Sequence, residues 1–455
     1  MSYEQLAVHA ASRAAMLADL GIRSGDRVML EVPVTLDSAV WLHALLWLGA
    51  ATIPVGPGRP RVDTERLLAR LNPRAFICAG SKRNAETAAR SRRRDDLIVI
   101  DSAQSIEPRG TAFAPARCDP GKVATIILTS GSTSTPKAVP LSLANHAANV
   151  RSVTDRIGSY PDDRWLLCLP LEHIGGMAIL FRSVMTGASV AFMPRFDAAG
   201  LLRQISDQRI TLTSLVPGML DAVMKLERRR PSSNLRAAFV GGAPAAPSLL
   251  GRARDNGWPV LPTWGMSEAG SQLATPSPET AAGMDFSAEA PALPPVEGVE
   301  VRVARSGAIQ VRGPMIFSGY LDDSASGPDE NGWFTTSDLG RIDDNGRVQI
   351  FGRIDNVIIS GGINVDLDAV AQRLCECPLI DDAAAVGIAS PRWGQRVVAA
   401  VVVPKPGNRL ADALDAWARD HLQPAERPAL WRVVDGIPRS SAGKPMAPSV
   451  RALFE

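Results

Sequence analysis

The sequence has little of what marks secreted, fibrous or nucleic-acid-binding proteins. Its 455 residues include only five cysteines, an odd number that argues against a disulfide framework and favours a reducing cytoplasm. Neither sign of charge dominates, because 49 Lys and Arg stand against 47 Asp and Glu. The basic runs at 92–94 and 228–230 lie apart from each other and have no interleaved aromatic residues. We therefore expect no nucleic-acid partner.

Long uninterrupted hydrophobic runs are also missing. The most apolar stretch, residues 38–55, contains His43, Gly49 and Pro54. It predicts a buried helix to about Leu48, a glycine stop and a short strand, and not a membrane span. The amphipathic beginning of the chain has none of the charged-then-apolar layout of an export signal. The expected location is the cytoplasm.

What the sequence has in quantity is length, apolar residues and turn formers. The composition, 45% hydrophobic with 38 Gly and 35 Pro, suits a loop-rich globular protein, and 455 residues exceed what one core usually holds. From Ile22 onward, and again from about Ala188, strand-like runs alternate with helical stretches, which is typical of βαβ units on largely parallel sheets. From about Val299, short strands separated by Gly and Asp turns predict a small antiparallel barrel or sheet.

The end of the chain has a different pattern. Residues 276–296 are rich in Pro, Ala and Ser and predict a surface connection. The last hundred residues predict a small α+β unit with helices at about 367–375 and 411–421. We thus expect an α/β fold: a large N-terminal domain, residues 1–354, of two βαβ-type sheets plus a small barrel or sheet, and a small mobile α+β domain, residues 355–455.

One segment has the composition of a phosphate-binding loop. In "TIILTSGSTSTPKAV", residues 125–139, an apolar strand runs into small and hydroxyl residues closed by Pro136 and Lys137. Such a loop offers backbone N–H groups, hydroxyls and one cation, which together can surround a polyphosphate. It does not fit the GxxxxGK[ST] pattern, because no glycine immediately precedes Lys137 and Ala138 follows it. Alone, the segment also fits a Ser/Thr-rich loop without a ligand.

Further segments present charged residues in turns or loops. Glu268 in "TWGMSEAGSQ" follows a strand, where a carboxylate can hold Mg²⁺ against phosphates. Asp338 in "TTSDLGRID" is expected in a turn, where it can accept both ribose hydroxyls. Arg353 and Asp355 precede a glycine pair, and Lys444 in "PRSSAGKPM" is expected in a flexible terminal loop. Each motif alone also fits a solvated loop.

In their order and spacing these motifs resemble the adenylate-forming superfamily of acyl-CoA synthetases, peptide-synthetase adenylation domains and luciferases. The likeness covers nearly the whole chain and includes "PLEHIGG", "GGAP" and "GMSE". It implies an AMP-forming acid–thiol ligase that uses ATP, Mg²⁺ and CoA. Such an enzyme activates a small carboxylic acid as an acyl-AMP and passes the acyl group to a thiol, here expected to be CoA.

The resemblance also implies roles for individual residues. Those that would bind the nucleotide phosphates are Thr129, Ser130, Gly131, Ser132, Thr133 and Lys137. Those that would lie along adenine are Gly241, Gly242 and Ala243. Ser267 and Glu268 would serve the α-phosphate and magnesium, and Asp338 and Arg353 would hold the ribose.

The remaining implied roles concern catalysis and motion. Lys444 would act on the phosphate, and His173 would gate the acyl pocket. Asp355 would be the hinge about which the small domain rotates, and Gly361 and Gly362 would line the pantetheine tunnel.

Two residues and one short segment depart from the family pattern. Ser134 stands where the family usually has glycine in the phosphate loop, and Ala138 replaces the glycine after the lysine. After "GGINV" the usual proline and paired glutamates become "DLDAV". These changes affect the loop, the start of the following helix and the thiol surface.

Within the superfamily, the chain is most similar to o-succinylbenzoate:CoA ligases of menaquinone biosynthesis. The likeness rests on the short chain, "LPLEHIGGMAILFRSV" and the Ser-Gln after "GMSEAG". It predicts an aromatic or keto acid with a second carboxylate, near Arg182, Ser271 and Gln272. An exposed helix face is the alternative for Arg182.

Several functional alternatives stay open at this point. They are another aryl or acyl acid, the phosphopantetheine thiol of a carrier protein as acceptor, and a non-catalytic acyl-adenylate binding protein. Because the ligase chemistry needs no protein nucleophile, Cys168 near His173 is interpreted as packing and not as half of a hydrolase site. The oligomeric state, a homodimer included, is also open.

Overall fold

The computed structural model describes residues 1–79, 97–102, 114, 119–129, 136–226, 230–286, 290–321, 327–360, 363–390, 392–404, 410–440 and 443–455. Part of the predicted phosphate loop lies outside them, namely Ser130, Gly131, Ser132, Thr133 and Ser134, and so do Gly361 and Gly362. Within the described residues no helix is long and apolar enough to cross a membrane.

Side chains cap the first two helices of the chain. Ser2 and Gln5 form a reciprocal capping box at the first helix, and Thr35 accepts from the backbone of Ser38 at the second. The helices are α1 (Tyr3–Asp19), α2 (Leu36–Leu48), α3 (Arg61–Leu71), α4 (Leu143–Ile157), α5 (Ile174–Thr186), α6 (Ala198–Asp207), α7 (Pro217–Lys225), α8 (Pro247–Asp255), α9 (Pro278–Ala282), α10 (Leu367–Leu374), α11 (Leu410–His421) and α12 (Ala447–Arg451).

The first sheet confirms the predicted N-terminal βαβ pattern. Its strands are β1 (Arg27–Glu31), β2 (Ala51–Val55), β3 (Ala75–Cys78), β4 (Ile98–Asp101), β5 (Val123–Thr129) and β6 (Lys137–Ser142). Their order is β4-β3-β1-β2-β5-β6, with only the β5–β6 pair antiparallel. The prediction for residues 38–55 is also confirmed, since α2 ends at Gly49 with φ of 77° and β2 follows, buried throughout.

The second sheet is parallel throughout, as predicted. Its strands are β7 (Arg164–Leu167), β8 (Ser189–Phe192), β9 (Leu212–Leu215), β10 (Ala237–Val240) and β11 (Val260–Pro262), in the order β11-β10-β9-β7-β8. The apolar faces of α6, α7 and α8 pack on this sheet in one core. Loops that follow parallel strands gather at the carboxyl ends of those strands. The "GGAP" loop after β10 therefore lies at the carboxyl edge of the second sheet.

A tight hairpin carries the "GMSE" motif. It consists of β12 (Trp264–Met266), a 3₁₀ turn (Ser267–Ala269) and β13 (Ser271–Ala274). A Cβ at Gly265 would lie 2.0 Å from the carbonyl oxygen of Ser271, so only glycine allows the two strands to approach this closely.

An antiparallel sheet follows, as predicted from about Val299. It is formed by β14 (Glu300–Val303), β15 (Ala308–Arg312), β16 (Phe334–Ile342) and β17 (Val348–Arg353).

The prediction that residues 276–296 are a simple surface connection is wrong. They contain α9, and Phe286 and Val296 are buried in two different cores of the large domain, which gives this proline-rich segment a packing role.

The C-terminal residues form a separate α+β layer, as predicted. Its strands are β18 (Val357–Ser360), β19 (Ile363–Asp366), β20 (Asp382–Ser390), β21 (Gly394–Val402) and β22 (Trp431–Val433). Alternate residues of β21 enter two different cores: Val397 and Ala399 on one face, Val398 and Ala400 on the other. A short 3₁₀ turn (Ile354–Asn356) containing Asp355 connects this layer to β17.

Candidate active site

Glu268 lies at the tip of the β12–β13 hairpin and is held from a distant segment. Its backbone oxygen accepts from the Phe317 amide at 2.8 Å, and its Oε1 accepts from the Tyr320 hydroxyl at 2.7 Å. The Lys137 ammonium lies 5.0 Å from the centre of the same Tyr320 ring. Among the described side chains, Tyr320 donates to Oε1 of this half-buried carboxylate, and carboxylate oxygens are ligands that Mg²⁺ prefers.

Asp338 is in strand β16 and not in a turn, so that part of the sequence prediction is wrong. It stands directly opposite Arg353 in the β16–β17 ladder, and Arg353 Nη1 donates to its Oδ1 at 3.1 Å. The Trp264 indole donates to its Oδ2 at 2.8 Å. Each carboxylate oxygen has a second lone pair, so this buried, oriented group can still accept from a pair of hydroxyls.

The loop after β10 offers a bare backbone surface. A Cβ at Gly241 would lie 2.5 Å from Thr263 Cγ2, and Gly242 has a φ of 79°, which side chains rarely adopt. Ala243, the third residue predicted to lie along adenine, adds only a methyl group. A flat ring system can approach such a surface closely.

Lys444 sits in a hydrogen-bonded turn, which we call the Lys444 turn (residues 439–440 and 443–445). The Ser440 amide donates to Lys444 O, and the Gly443 amide donates to Ser440 O, both at 2.8 Å. Arg439 donates to Gly443 O at 2.8 Å and to both carboxylate oxygens of Asp382 at 2.6 and 2.9 Å. The described residues of the turn are thus fixed by the C-terminal layer.

The Lys444 turn lies against the large domain. A Cβ at Gly443 would be 3.4 Å from Val216, and a Cβ at Gly242 would be 3.5 Å from the same Val216 side chain. The catalytic lysine predicted from the sequence and the predicted adenine loop are therefore neighbours across the domain boundary.

The charges around Lys444 connect the motifs electrostatically. Surrounding protein atoms lower the pKa of Lys444, Arg353 lowers it further, and the carboxylates of Asp338, Asp368 and Glu268 raise it. Protein atoms surround the ammonium group closely enough to lower its pKa, although the residue as a whole keeps an exposed surface. Glu268 and Asp338, which lie far apart in sequence, thus act on the same ammonium group.

His173 is the N-cap residue of α5, at the edge of this cleft. Burial lowers the pKa of His173, Glu172 raises it, and Lys444 and Arg59 lower it. The histidine thus lies within electrostatic reach of Lys444.

Arg182, two and a half turns further along α5, is 2% exposed, so the alternative of an exposed helix face is wrong. Its Nη2 donates to Asn149 Oδ1 at 3.0 Å and to Gln272 Oε1. The Ser271 hydroxyl donates to the same Gln272 oxygen at 2.7 Å. The structure therefore brings together the three residues predicted to bind the substrate.

The Arg182 guanidinium has only neutral partners in the part of the chain that the structure describes. No described carboxylate pairs with it, and its buried Nε has no hydrogen-bond partner there. Burial lowers the pKa of Arg182 to about 9, which leaves it charged at neutral pH. Next to it, Ser271 has a φ of 142°, a strained backbone of the kind that collects at ligand sites. A buried cation without a counter-ion is costly unless an anion joins it.

Sequence reasoning missed three residues of this site. Trp264 directly precedes "GMSE", so its place beside the motif was readable, but its bond to Asp338 was not. Tyr320 and Asn149 reach the site from distant segments without a local signal.

Cys168 is buried and donates to Ser214 O at 3.5 Å, and burial raises its pKa to about 12, which agrees with a packing role.

Comparison with known proteins identifies the family. The model of the AMP-binding enzymes matches residues 1–321, and that of the AMP-binding enzyme C-terminal domain matches residues 369–444. The chain belongs to the AMP-binding enzymes. The predicted α/β fold and the predicted acid–CoA ligase activity through an acyl-AMP are confirmed by the relatives that this AMP-binding enzyme resembles.

Relatives and solved structures cover almost the whole AMP-binding enzyme. A 2-succinylbenzoate–CoA ligase of Bacillus licheniformis is 30% identical over 453 residues, which are 98% of this chain and 93% of the relative. o-Succinylbenzoate CoA synthetase of Bacillus subtilis in complex with the acyl-adenylate intermediate gives a TM-score of 0.87 at 26% identity, covering 99% of this chain and 93% of that one. Its complex with ATP and a magnesium ion gives 0.84 at 27% identity, covering 98% and 93%.

Proposed function

We propose that the acid is an aromatic or keto dicarboxylate such as o-succinylbenzoate. The observation that carries this proposal is the buried Arg182, charged and held by amide oxygens with no described carboxylate beside it. A second substrate carboxylate would supply the missing counter-ion. The names of the similar ligases from two Bacillus species support the same substrate class.

The placement of Arg182 relative to the cleft supports a two-ended acid. Helix α5 starts after His173 at the cleft, and Arg182 follows nine residues later, which is about 13 Å along the axis. Strand β13 likewise leads from the Glu268 turn to Gln272. An acid of this class can therefore extend from the phosphates, where one carboxylate reacts, toward the guanidinium, which receives the other.

The first half-reaction brings two anions together, the acid and the α-phosphate of ATP. We assign Lys444 to neutralising charge on that phosphate, with Asp338 and Arg353 orienting the ribose and Gly241, Gly242 and Ala243 lying along adenine. Thr129, Ser130, Gly131, Ser132, Thr133 and Lys137 remain the predicted phosphate ligands. Magnesium, held by Glu268 beside Ser267, would supply further positive charge.

In the first step the acid oxygen attacks the α-phosphorus and pyrophosphate leaves. In the second, the CoA thiolate attacks the acyl carbon and AMP leaves. We propose that residues 355–455 rotate about Asp355 between the steps, which withdraws Lys444 and brings Gly361 and Gly362 to the pantetheine arm. We further propose a cytoplasmic location. A carrier-protein acceptor and a homodimer stay predictions.

The test is a panel of acids assayed for pyrophosphate release with and without CoA. We expect o-succinylbenzoate to be used far better than benzoate or hexanoate, and release to depend on CoA for sustained turnover. Arg182→Met, which keeps the length and apolar stem, should remove the preference for the dicarboxylate. Better turnover of the simple monocarboxylates by the wild-type enzyme would reject the substrate assignment.

A further inference from the structure

Asn149 connects Arg182 to the β12–β13 hairpin that carries Glu268, and the proposed function gives it no role of its own. It lies on α4 and is 1% exposed. Its Oδ1 accepts from Arg182 Nη2 at 3.0 Å, while its Nδ2 donates to Ala269 O at 3.2 Å and to Gln272 O at 2.8 Å. Both ends of the amide are therefore bonded.

The bonding pattern fixes which end of the amide faces which neighbour. Arg182 can only donate, and the two backbone carbonyls can only accept, so the oxygen must face the guanidinium and the NH₂ group the carbonyls. Leucine would leave these buried groups unpaired, and aspartate would direct an anionic oxygen at two carbonyl oxygens. Of these three similar-sized side chains, asparagine is the one that satisfies every partner.

The absence of charge on the Asn149 amide matters for Arg182 as much as the geometry of its hydrogen bonds. The other side chain that accepts from Arg182, Gln272, is also an amide. A carboxylate at either position would pair with the guanidinium and satisfy its charge within the protein. With two amides the guanidinium is oriented but keeps its full attraction for an anion that arrives from outside.

Asn149 also determines where that charge lies relative to the reacting centre. Ala269 directly follows Glu268, and Gln272 closes the same hairpin. One side chain thus links α4, the guanidinium on α5 and the backbone of the β12–β13 hairpin.

We infer that Asn149 is a positioning and specificity-determining residue, which orients Arg182 through a neutral oxygen and so reserves the guanidinium charge for the second carboxylate of the acid. The inference rests on the proposed function, because it needs Arg182 to bind substrate. A residue with this role should affect the choice between acids, whereas a merely structural residue would affect all acids alike.

The experiment compares Asn149→Asp, which adds charge with almost no change of shape, with the neutral variant Asn149→Ser. For each variant, kcat and KM are measured for o-succinylbenzoate and for an analogue in which one carboxylate is replaced by hydrogen. Two such analogues exist, one for each carboxylate, and the one that the wild type uses better is chosen. In Asn149→Asp, kcat/KM for the dicarboxylate should fall by on the order of tenfold to a hundredfold, mainly through KM. For the monocarboxylate and for ATP, kcat/KM should fall clearly less, because only the repulsion between the new carboxylate and the two hairpin carbonyls acts there.

Asn149→Ser removes the orienting oxygen but adds no charge, so its preference for the dicarboxylate should fall less than that of Asn149→Asp, whatever its absolute rate. Equal losses for both acids in Asn149→Asp, or an unchanged preference, would overturn the inference. If Asn149→Asp does not fold, Gln272→Glu introduces the same charge from the other amide and is judged by the same ratio.

Arg182→Met distinguishes a failure of the inference about Asn149 from a failure of the proposed substrate recognition by Arg182. If it loses the preference and Asn149→Asp does not, Asn149 lacks the inferred role while the proposed function stands. If Arg182→Met keeps the wild-type preference, the proposed substrate recognition fails, and the inference about Asn149 fails with it.

Discussion

Two cations of the proposed site, Arg182 and Lys444, are held in opposite ways. Arg182 is sealed within the large domain by side chains of α4 and β13, and its bonded partners are neutral. Lys444 comes from the C-terminal layer on a short turn, remains exposed, and has three carboxylates within electrostatic reach.

Each arrangement suits the role that we propose for its cation. A buried cation without a counter-ion favours an anion strongly and cannot leave its place, which suits selection of the acid. An exposed cation in an open cleft loses little when it is withdrawn, which suits a group needed in only one half-reaction. Selectivity and chemistry should then respond to different substitutions.

The largest expected effect comes from removing the exposed cation. Lys444→Ala should slow acyl-AMP formation by on the order of a hundredfold to a thousandfold, because one preorganised charge is lost from the developing phosphate charge. Conversion of supplied acyl-AMP and CoA to the thioester should stay close to the wild-type rate. The two half-reactions are measured separately, by pyrophosphate release and by thioester formation.

Lys122→Ala is the matched control, since Lys122 is also exposed and contacts Ser24 Oγ at 3.3 Å, outside the cleft. It should leave both half-reactions unchanged. Equal loss of both half-reactions in Lys444→Ala, or no loss in either, would contradict the separation of roles.

A smaller effect is expected at the carboxylate between the two cations. Glu268→Gln keeps the shape of the side chain but removes the charge that would hold Mg²⁺, so the Mg²⁺ concentration for half-maximal adenylation should rise by about tenfold. The melting temperature should not change, because the half-buried side chain supports no core. Tyr320→Phe, which removes the hydroxyl that donates to Oε1, should shift the Mg²⁺ requirement less. An unchanged Mg²⁺ requirement in Glu268→Gln would reject the assignment.

The smallest effect concerns the support of the Lys444 turn. Arg439→Met removes the bond to Gly443 O and the ion pair with Asp382, whose side chain is 35% exposed, as is that of Arg439. Adenylation should fall by about threefold and the thioester step should not, because a half-exposed pair contributes little. Asp382→Asn keeps the bond to Gly443 and should cost less. A thioester step that falls as much as adenylation would show that the turn acts on both.

Local patterns predicted much of the fold. Gly49 ended α2 as expected, and the alternation of apolar runs located most strands of the two parallel sheets. Asp338 was assigned to a turn because it lies among polar residues and glycine, yet its carboxylate is buried and paired with Arg353 and Trp264. The pairing partners of a strand, which decide such cases, are not visible in a local window.

The site was predictable as far as family motifs reach. Arg182 interrupts the apolar run "GGMAILFRSVM", which is a signal of a buried charge, but the sequence does not show which partners neutralise it. Asn149 had no signal, since its contacts with the β12–β13 hairpin join segments more than 100 residues apart. Long-range hydrogen bonds of this kind become readable only when the chain is folded.

Acid selection should depend on Arg182 and be independent of Lys444. This is measured by calorimetric binding of o-succinylbenzoate and of its monocarboxylate analogue to the wild type, Arg182→Met and Lys444→Ala. We expect the ratio of the two Kd values to be the same in Lys444→Ala as in the wild type and to fall toward one in Arg182→Met. A ratio that collapses in Lys444→Ala, or survives in Arg182→Met, would contradict this expectation.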